Sequence, residues 1–207
     1  MIEHKFDLNT HMGGWYIPEN ICDNVIKYFK ENKDKQASGL SGGKLDLDKK
    51  DSLDIEIKPN SVLTEYEVAL FDVMKEYRKK YDNLHNQSSY SLNSNWNIQY
   101  YKPNGGFKKW HCENSYGNES VKSRILAFMT YLNDVDDGGT DFLYQNLTSP
   151  AKKGLTLIWP AYWTHTHKGQ ISKINEKYIA TGWFDDDDLW MTKIFQQKIK
   201  KIMHQQK

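Results

Sequence analysis

The sequence predicts a mainly β fold with flanking helices, in which short strands build a two-sheet barrel or jelly roll. From Trp96 onward, short β-rich runs alternate with Gly, Pro, Asn and Asp breaks: WNIQYY, RILAFMTYL, DFLY, GLTLIWP and KYIATGWF. Aromatic residues make up 14% of the chain, which also favours strands. These two observations indicate a β-rich core that begins near residue 96.

Helices are predicted on both sides of this core. Apolar residues recur at helical spacing over residues 18–32, 61–81 and 189–203. The segments 33–51 and 82–95 are polar, and the first is also rich in glycine, so we expect a mobile loop at 33–51 and a loop at 82–95. Without an internal repeat or linker, we expect one domain over residues 1–207. Its helical support lies at 1–95 and 186–207, and its core at 96–184.

The composition excludes several classes of partner. Lys and Arg number 28 against 27 Asp and Glu, a formal net charge of +1, so no basic surface for nucleic acid or membrane is expected. Apolar runs such as 125–129 are too short to span a bilayer. The N-terminus has no apolar signal core, which favours a cytoplasmic protein, and two cysteines give no disulfide framework.

Two histidines and a carboxylate form the most informative pattern. In a strand, residues i and i+2 share a face, so His111 and Glu113 would point the same way. The same parity places His165 and His167 on one face and cannot choose between them. Two imidazoles and one carboxylate form the facial triad of non-haem Fe(II) oxygenases, which leaves positions for an oxo acid and O₂. Lys177, ten residues after His167, adds a cation for a dicarboxylic cosubstrate.

Five segments in order give this pattern a family resemblance. YYKPNGGFKKWHCE, RILAFMTYLNDV, GGTDF, PAKKGLTLIWP and HKG…KYIATGW resemble the Fe(II)- and 2-oxoglutarate-dependent dioxygenases, in particular the prolyl 4-hydroxylase-like branch. The resemblance covers about residues 96–184. It implies a double-stranded β-helix (jelly roll) fold and the cofactors Fe(II), 2-oxoglutarate and O₂, with ascorbate as a further one.

The resemblance also implies the iron ligands. His111, Glu113 and His167 take the ligand positions, and His167 is preferred to His165 because of the ten-residue step to Lys177 and the nearby glycine. One departure is visible, since the family usually has aspartate where this chain has Glu113. Glutamate is a competent ligand, but it is one methylene longer.

The cosubstrate pocket follows from the same resemblance. Lys177 and Tyr131 are implied to hold the far carboxylate of 2-oxoglutarate. The remaining implied pocket residues are Tyr101, with its neighbour Tyr100 as the competitor, Trp183 as a wall and Thr140 at the rim.

The implied reaction is hydroxylation of a C–H bond with release of succinate and CO₂. The resemblance favours a prolyl residue in a protein or peptide as substrate, and a small molecule such as a free amino acid is the nearest alternative. Two other classes stay open: a cupin-like metal enzyme that does not use 2-oxoglutarate, and a non-catalytic binding module on the same fold. Succinate release separates these classes.

Overall fold

The strands predicted after residue 96 form the centre of the fold in the computed structural model, which describes residues 1–86, 89–114 and 121–188. Two α-helices flank them, α1 (Glu19–Glu31) and α2 (Thr64–Lys80). The strands are β1 (Ile2–Glu3), β2 (Gly13–Tyr16), β3 (Ala37–Ser38), β4 (Lys50–Asp51), β5 (Leu53–Ile57), β6 (Tyr90–Ser91), β7 (Trp96–Tyr101), β8 (Gly106–Phe107), β9 (Arg124–Tyr131), β10 (Val135–Phe142), β11 (Leu147–Ala151), β12 (Leu155–Pro160), β13 (His167–Gly169) and β14 (Lys177–Asp186). Short 3₁₀ turns lie at Leu8–Thr10, Lys33–Lys35, Asp82–Asn86 and Trp163–His165.

The strands form one large sheet, one small sheet and a separate two-stranded pair. The large sheet has the order β1-β2-β12-β9-β14-β7-β5-β3, with β6 paired to β14. The small sheet has the order β11-β10-β13, and β4 pairs with β8. The mainly β jelly roll predicted from the sequence is confirmed.

Alternation along the central strands separates two apolar cores. In β9, Leu126 and Phe128 belong to the core beneath the helices, whereas Ala127 and Met129 belong to the core between the sheets. Both faces of β9 are therefore buried, which explains why RILAFMTYL is nearly continuously apolar. The same alternation in β7 and β14 directs their odd-numbered residues into the barrel.

The first two predicted helices are present. Ile21, Cys22, Val25 and Phe29 bury one face of α1, and Pro18 directly precedes its first residue. Helix α2 begins at Thr64 and packs against the other side of the same core. The helix predicted for residues 189–203 lies outside the described residues.

The region before residue 96 contributes more than helical support. Strand β2 pairs with β12, and β5 pairs with β7, so the N-terminal region supplies strands to the large sheet. Residues 33–51 are likewise not a loop throughout, because β3 and β4 lie within them, and β6 interrupts the loop predicted at 82–95. The two loop expectations were wrong because β3, β4 and β6 have two residues each, which is too short to show a period-2 pattern.

One predicted strand is also displaced. The DFLY run was expected to be a strand, but β10 begins at Val135 and ends at Phe142, and Leu143 and Tyr144 are exposed in a turn. The strand includes the polar stretch VDDGG, whose pairing with β11 is interrupted by a register shift between Val135 and Thr140.

The described residues contain no helix with the length and apolar character needed to cross a membrane.

Candidate active site

A cavity of about 610 Å³ opens between the two sheets. Its floor is the inner face of the large sheet, and its rim is formed by residues 37–43 and by the β4–β8 pair. The sequence-predicted residues that line it are His111, Glu113, His167, Tyr101, Tyr131, Thr140, Lys177 and Trp183. The fold therefore brings together in one cavity residues that are up to 82 positions apart (183 − 101).

His111, Glu113 and His167 form one cluster. One ligand atom from each lies within 4.8 Å of the others. The Oε1 atom of Glu113 is 3.6 Å from Nε2 of His111 and 3.4 Å from Nε2 of His167. The backbone sets this arrangement, because His111 and His167 exchange two N–H···O hydrogen bonds of 3.0 and 2.9 Å. Glu113 is anchored next to them by its N–H, which donates to the Ala161 carbonyl.

Backbone carbonyls also fix the proton position on each imidazole. Nδ1 of His111 lies 2.9 Å from the carbonyl oxygen of Lys109, and Nδ1 of His167 lies 2.8 Å from that of His165. A carbonyl oxygen only accepts, so each Nδ1 carries the proton and each Nε2 keeps its lone pair. Both lone pairs face the Glu113 carboxylate, so three acceptors meet with no donor between them. That donor set fits a divalent cation.

The protonation states favour the same conclusion. Burial, and next the proximity of His167, lowers the pKa of His111 despite the opposing effect of Glu113. Burial alone would raise the pKa of Glu113. The hydrogen bonds and positive charge that the two histidines provide when their Nε2 atoms are protonated outweigh this effect and hold the pKa of Glu113 well below its usual value. Near neutral pH, His111 is then neutral and Glu113 is ionised, which are the metal-binding forms.

His165 lies outside the cluster. It ends the 3₁₀ turn Trp163–His165, so the strand parity that made it equivalent to His167 does not apply. Its Nε2 lies 2.9 Å from the carbonyl oxygen of Thr10, and its Nδ1 lies 3.0 Å from the Thr164 hydroxyl. His165 therefore joins the N-terminal region to the barrel, and His167 is the histidine that lines the cavity.

Lys177 is a buried cation at the other end of the cavity. It is 5% exposed, and its Nζ donates to the carbonyl oxygens of Gly138 (2.8 Å) and Gln170 (3.0 Å). No carboxylate among the described residues lies within ion-pair distance of it. Burial lowers its pKa to about 8, although Asp137 acts in the opposite direction. A buried ammonium without a counter-ion is costly, so this end of the cavity suits an anion.

Hydroxyl groups surround the same end. The Tyr131 hydroxyl is fully buried and forms hydrogen bonds with the Thr140 hydroxyl (2.7 Å) and the Ser149 hydroxyl (2.8 Å). Thr140 and Ser149 are opposite each other in the β10–β11 pair. Ser149 was missed in the sequence, where no motif includes it, and only the pairing of β10 with β11 identifies it.

The structure also separates the two candidate tyrosines. Tyr101 lines the cavity, its ring lies 5.4 Å from Nζ of Lys177, and its hydroxyl donates to Gln99. Tyr100 points to the opposite face of β7 and packs against Phe29 and Tyr178 under the helices.

Residues that the sequence analysis did not single out also line the cavity. Arg124 lies over the Trp183 ring, with 3.3 Å between its guanidinium carbon and the ring centroid. Lys50 and Asp54 form an ion pair of 2.5 Å at the rim, and both side chains are largely buried. Asn97 and Gln99 alternate with Ile98 in β7 and face the cavity. This alternation in WNIQYY was the available signal.

Comparison with known proteins gives one family and a set of similar structures. Residues 96–185 match the model of the 2OG-Fe(II) oxygenase superfamily. A search of curated protein sequences finds no significant match.

The similar structures are prolyl hydroxylases. A viral collagen prolyl hydroxylase from Paramecium Bursaria Chlorella virus-1, solved with 2OG, is 18% identical over 85% of this chain and 96% of that chain, with a TM-score of 0.65. A Pseudomonas putida prolyl-4-hydroxylase is 13% identical over 85% and 92%, with a TM-score of 0.64. A Trichoplax adhaerens prolyl hydroxylase, in complex with a hypoxia inducible factor peptide fragment, is 12% identical over 88% and 87%, with a TM-score of 0.69.

The matched segment, residues 96–185, includes all eight sequence-predicted site residues and coincides with the jelly-roll core. At these identities the structural likeness concerns the fold. The resemblance predicted from the motifs is thus confirmed: residues 96–185 match the model of the 2OG-Fe(II) oxygenase superfamily, and the fold is similar to that of the prolyl hydroxylases.

Proposed function

We propose that the protein is a 2-oxoglutarate- and Fe(II)-dependent dioxygenase that hydroxylates a prolyl residue in a protein or peptide. The observation that supports it best is a pair of complementary sites in one cavity. At one end three acceptor atoms converge, Nε2 of His111, Nε2 of His167 and Oε1 of Glu113. At the other end the Lys177 ammonium is buried without a carboxylate among the described residues. A divalent metal and a dicarboxylate satisfy both ends.

Each proposed residue has a role that its contacts support. His111, Glu113 and His167 hold the metal through the two Nε2 atoms and Oε1. Lys177 binds the far carboxylate of 2-oxoglutarate, and the Tyr131 hydroxyl donates to the same group. Tyr101 and Trp183 form walls. Thr140 accepts from the Tyr131 hydroxyl in the free protein, and it would donate to this hydroxyl instead once Tyr131 donates to the carboxylate. Bound Fe(II), with 2-oxoglutarate and O₂, supplies the oxidation that yields succinate, CO₂ and a hydroxylated product.

A peptide substrate is supported by the cavity wall and by the similar structures. Asn97 faces the cavity, and its side-chain amide forms no hydrogen bond with another described residue. A carboxamide offers both a donor and an acceptor, which matches a peptide backbone. One of the similar structures is a collagen prolyl hydroxylase, and another holds a peptide fragment. Ascorbate as a cofactor and the cytoplasmic compartment remain predictions from the sequence.

The test is succinate release by the iron-loaded protein with 2-oxoglutarate, with and without substrate. A proline-rich, collagen-like peptide is expected to raise succinate release and to gain one oxygen atom by mass spectrometry. The matched control is the same peptide with alanine at every proline, which should give only the basal rate.

Other outcomes of this assay select the alternatives. Stimulation by free proline but not by the peptide would replace the peptide with a small-molecule substrate. Binding of 2-oxoglutarate without succinate release would favour a binding module. Metal binding without any affinity for 2-oxoglutarate would favour the cupin-like enzyme.

A further inference from the structure

The two carboxylate oxygens of Glu113 have different surroundings. Oε1 faces the two histidine Nε2 atoms at 3.4 and 3.6 Å. Oε2 instead accepts a hydrogen bond of 2.8 Å from Nε1 of Trp183. The carboxylate is therefore held with one oxygen toward the proposed metal position and the other turned away from it.

Arg124 holds Trp183 and Glu113 together. Its guanidinium lies 3.3 Å above the centre of the Trp183 ring, a cation–π distance. Its Nη1 also donates to the Glu113 backbone carbonyl at 3.3 Å and lies 3.8 Å from Oε2. Arg124 begins β9, and Trp183 lies in the adjacent strand β14, where it pairs with Ala127. Two neighbouring strands of the large sheet thus hold the end of one side chain.

We propose that Trp183 and Arg124 are positioning residues that fix Glu113 as a one-oxygen ligand, an inference that rests on the proposed iron site. Glutamate has one more rotatable bond than aspartate, and this freedom must be removed when the carboxylate is held. The indole N–H occupies Oε2 and the guanidinium fixes the indole, so Oε1 is the oxygen presented to the metal. This pair explains how the chain uses a glutamate where the family usually has aspartate.

The first test compares two tryptophan substitutions by metal affinity, measured with Co(II) in the absence of O₂. Trp183→Phe keeps an aromatic wall and removes the N–H. Outer partners of metal ligands typically contribute about 10- to 100-fold in affinity, so Trp183→Phe should weaken Co(II) binding by roughly that factor. Trp163→Phe is the control, because Trp163 is largely exposed in the 3₁₀ turn and its ring contacts Tyr144 rather than a proposed metal ligand.

A double-mutant cycle distinguishes positioning from packing. If Trp183 acts through Oε2, its substitution should cost much less in a Glu113→Asp background, where the shortened carboxylate no longer meets the indole. Independent effects at the two positions add in free energy, so a coupling near zero would assign Trp183 a purely structural role. The visible absorption bands of bound Co(II) give a second readout: Trp183→Phe should shift them and Trp163→Phe should not.

Co(II) binding distinguishes a wrong positioning role for Trp183 from a wrong metal site. If the wild-type protein binds no Co(II), the proposed metal site itself is wrong. If the wild type binds Co(II) and the two tryptophan variants bind it equally well, with unchanged spectra, the metal site stands and the positioning role is overturned.

Discussion

The two ends of the cavity are built in opposite ways. At the His111–Glu113–His167 end, each imidazole donates to a backbone carbonyl, so both Nε2 atoms reach the cavity as acceptors next to Oε1 of Glu113. At the Lys177 end, donors dominate: an ammonium already shared by two carbonyls, and a cluster of hydroxyls around Tyr131. The first end suits a metal cation, and the second suits an anion.

The two ends taken together restrict the possible ligand more than either end does alone. A metal site without the lysine would be compatible with many metal enzymes, and a buried lysine without the metal site would be compatible with any anion pocket. Together they specify a ligand with a metal-chelating end and a carboxylate at its far end. 2-Oxoglutarate has that structure, and the following predictions test each end separately.

The largest effect is expected when a substitution removes one of the metal ligands. His111→Ala or His167→Ala should weaken Fe(II) binding by more than about 100-fold, because even outer partners of metal ligands contribute 10- to 100-fold. The measurement is anaerobic metal titration of each variant. His165→Ala is the control and should bind iron nearly as well as the wild type once folding is verified by circular dichroism. An inactive His165→Ala beside an active His167→Ala would reverse the ligand assignment.

The next largest effect is expected when a substitution removes the ammonium of Lys177 at the other end of the cavity. Lys177→Ala should weaken 2-oxoglutarate by roughly 10- to 150-fold, because a hydrogen bond to a charged group contributes about 1.5–3 kcal/mol. Iron affinity should stay nearly unchanged, which separates the two ends. Tyr131→Phe removes a neutral donor and should weaken 2-oxoglutarate by about 2- to 10-fold. Equal losses of iron and 2-oxoglutarate affinity in Lys177→Ala would mean that the ends are not independent.

A smaller effect follows from the pKa of Lys177. Burial lowers this pKa to about 8, so in the free protein the ammonium is largely present at pH 7 and largely lost at pH 9. Since the anion requires the charged form, 2-oxoglutarate affinity should fall by roughly 10-fold between these two pH values. Tyr131 does not titrate there, because burial raises its pKa to about 12. Lys177→Arg keeps its charge across this range and should show a flat profile, however weak its binding.

The smallest expected effect concerns the rim at residues 39–43. The amides of Gly39 and Ser41 are hydrogen-bonded to Ser52 and Lys44, whereas Gly42 and Gly43 have open space beside them. Amide exchange should therefore be fast at Gly42 and Gly43 without substrate and slower with it, and the two bonded amides should change less. Strong protection at all four amides in both states would remove this segment from substrate binding.

The parts of the molecule that sequence predicted share a physical reason. Long, strongly apolar segments such as β9, β14 and the two described helices have enough residues to show their period. His167 and Lys177 were found by their ten-residue spacing, because both begin strands within the segment that carries the family motifs. Strand parity placed Lys177 and Trp183 on one face, and both line the cavity.

The parts that sequence did not predict depend on contacts between distant segments. His165 lies in a 3₁₀ turn, which no sequence periodicity predicts, whereas His167 begins strand β13. Ser149 reaches the site through strand pairing, and the Lys50–Asp54 ion pair forms where short strands fold over the rim. Arg124 was visible as the first residue of a strand, but its position over Trp183 comes from two neighbouring strands of the sheet.

The most direct measurement is titration of 2-oxoglutarate into the Fe(II)-loaded wild-type protein without O₂, followed by its metal-to-ligand charge-transfer absorbance. This band requires the chelating end of the oxo acid on the metal, and its saturation reports the affinity set by the far end. We expect a band that saturates at one equivalent and that needs both His167 and, at low ligand concentration, Lys177. Iron binding by the wild type with no band at any 2-oxoglutarate concentration would contradict the proposed site.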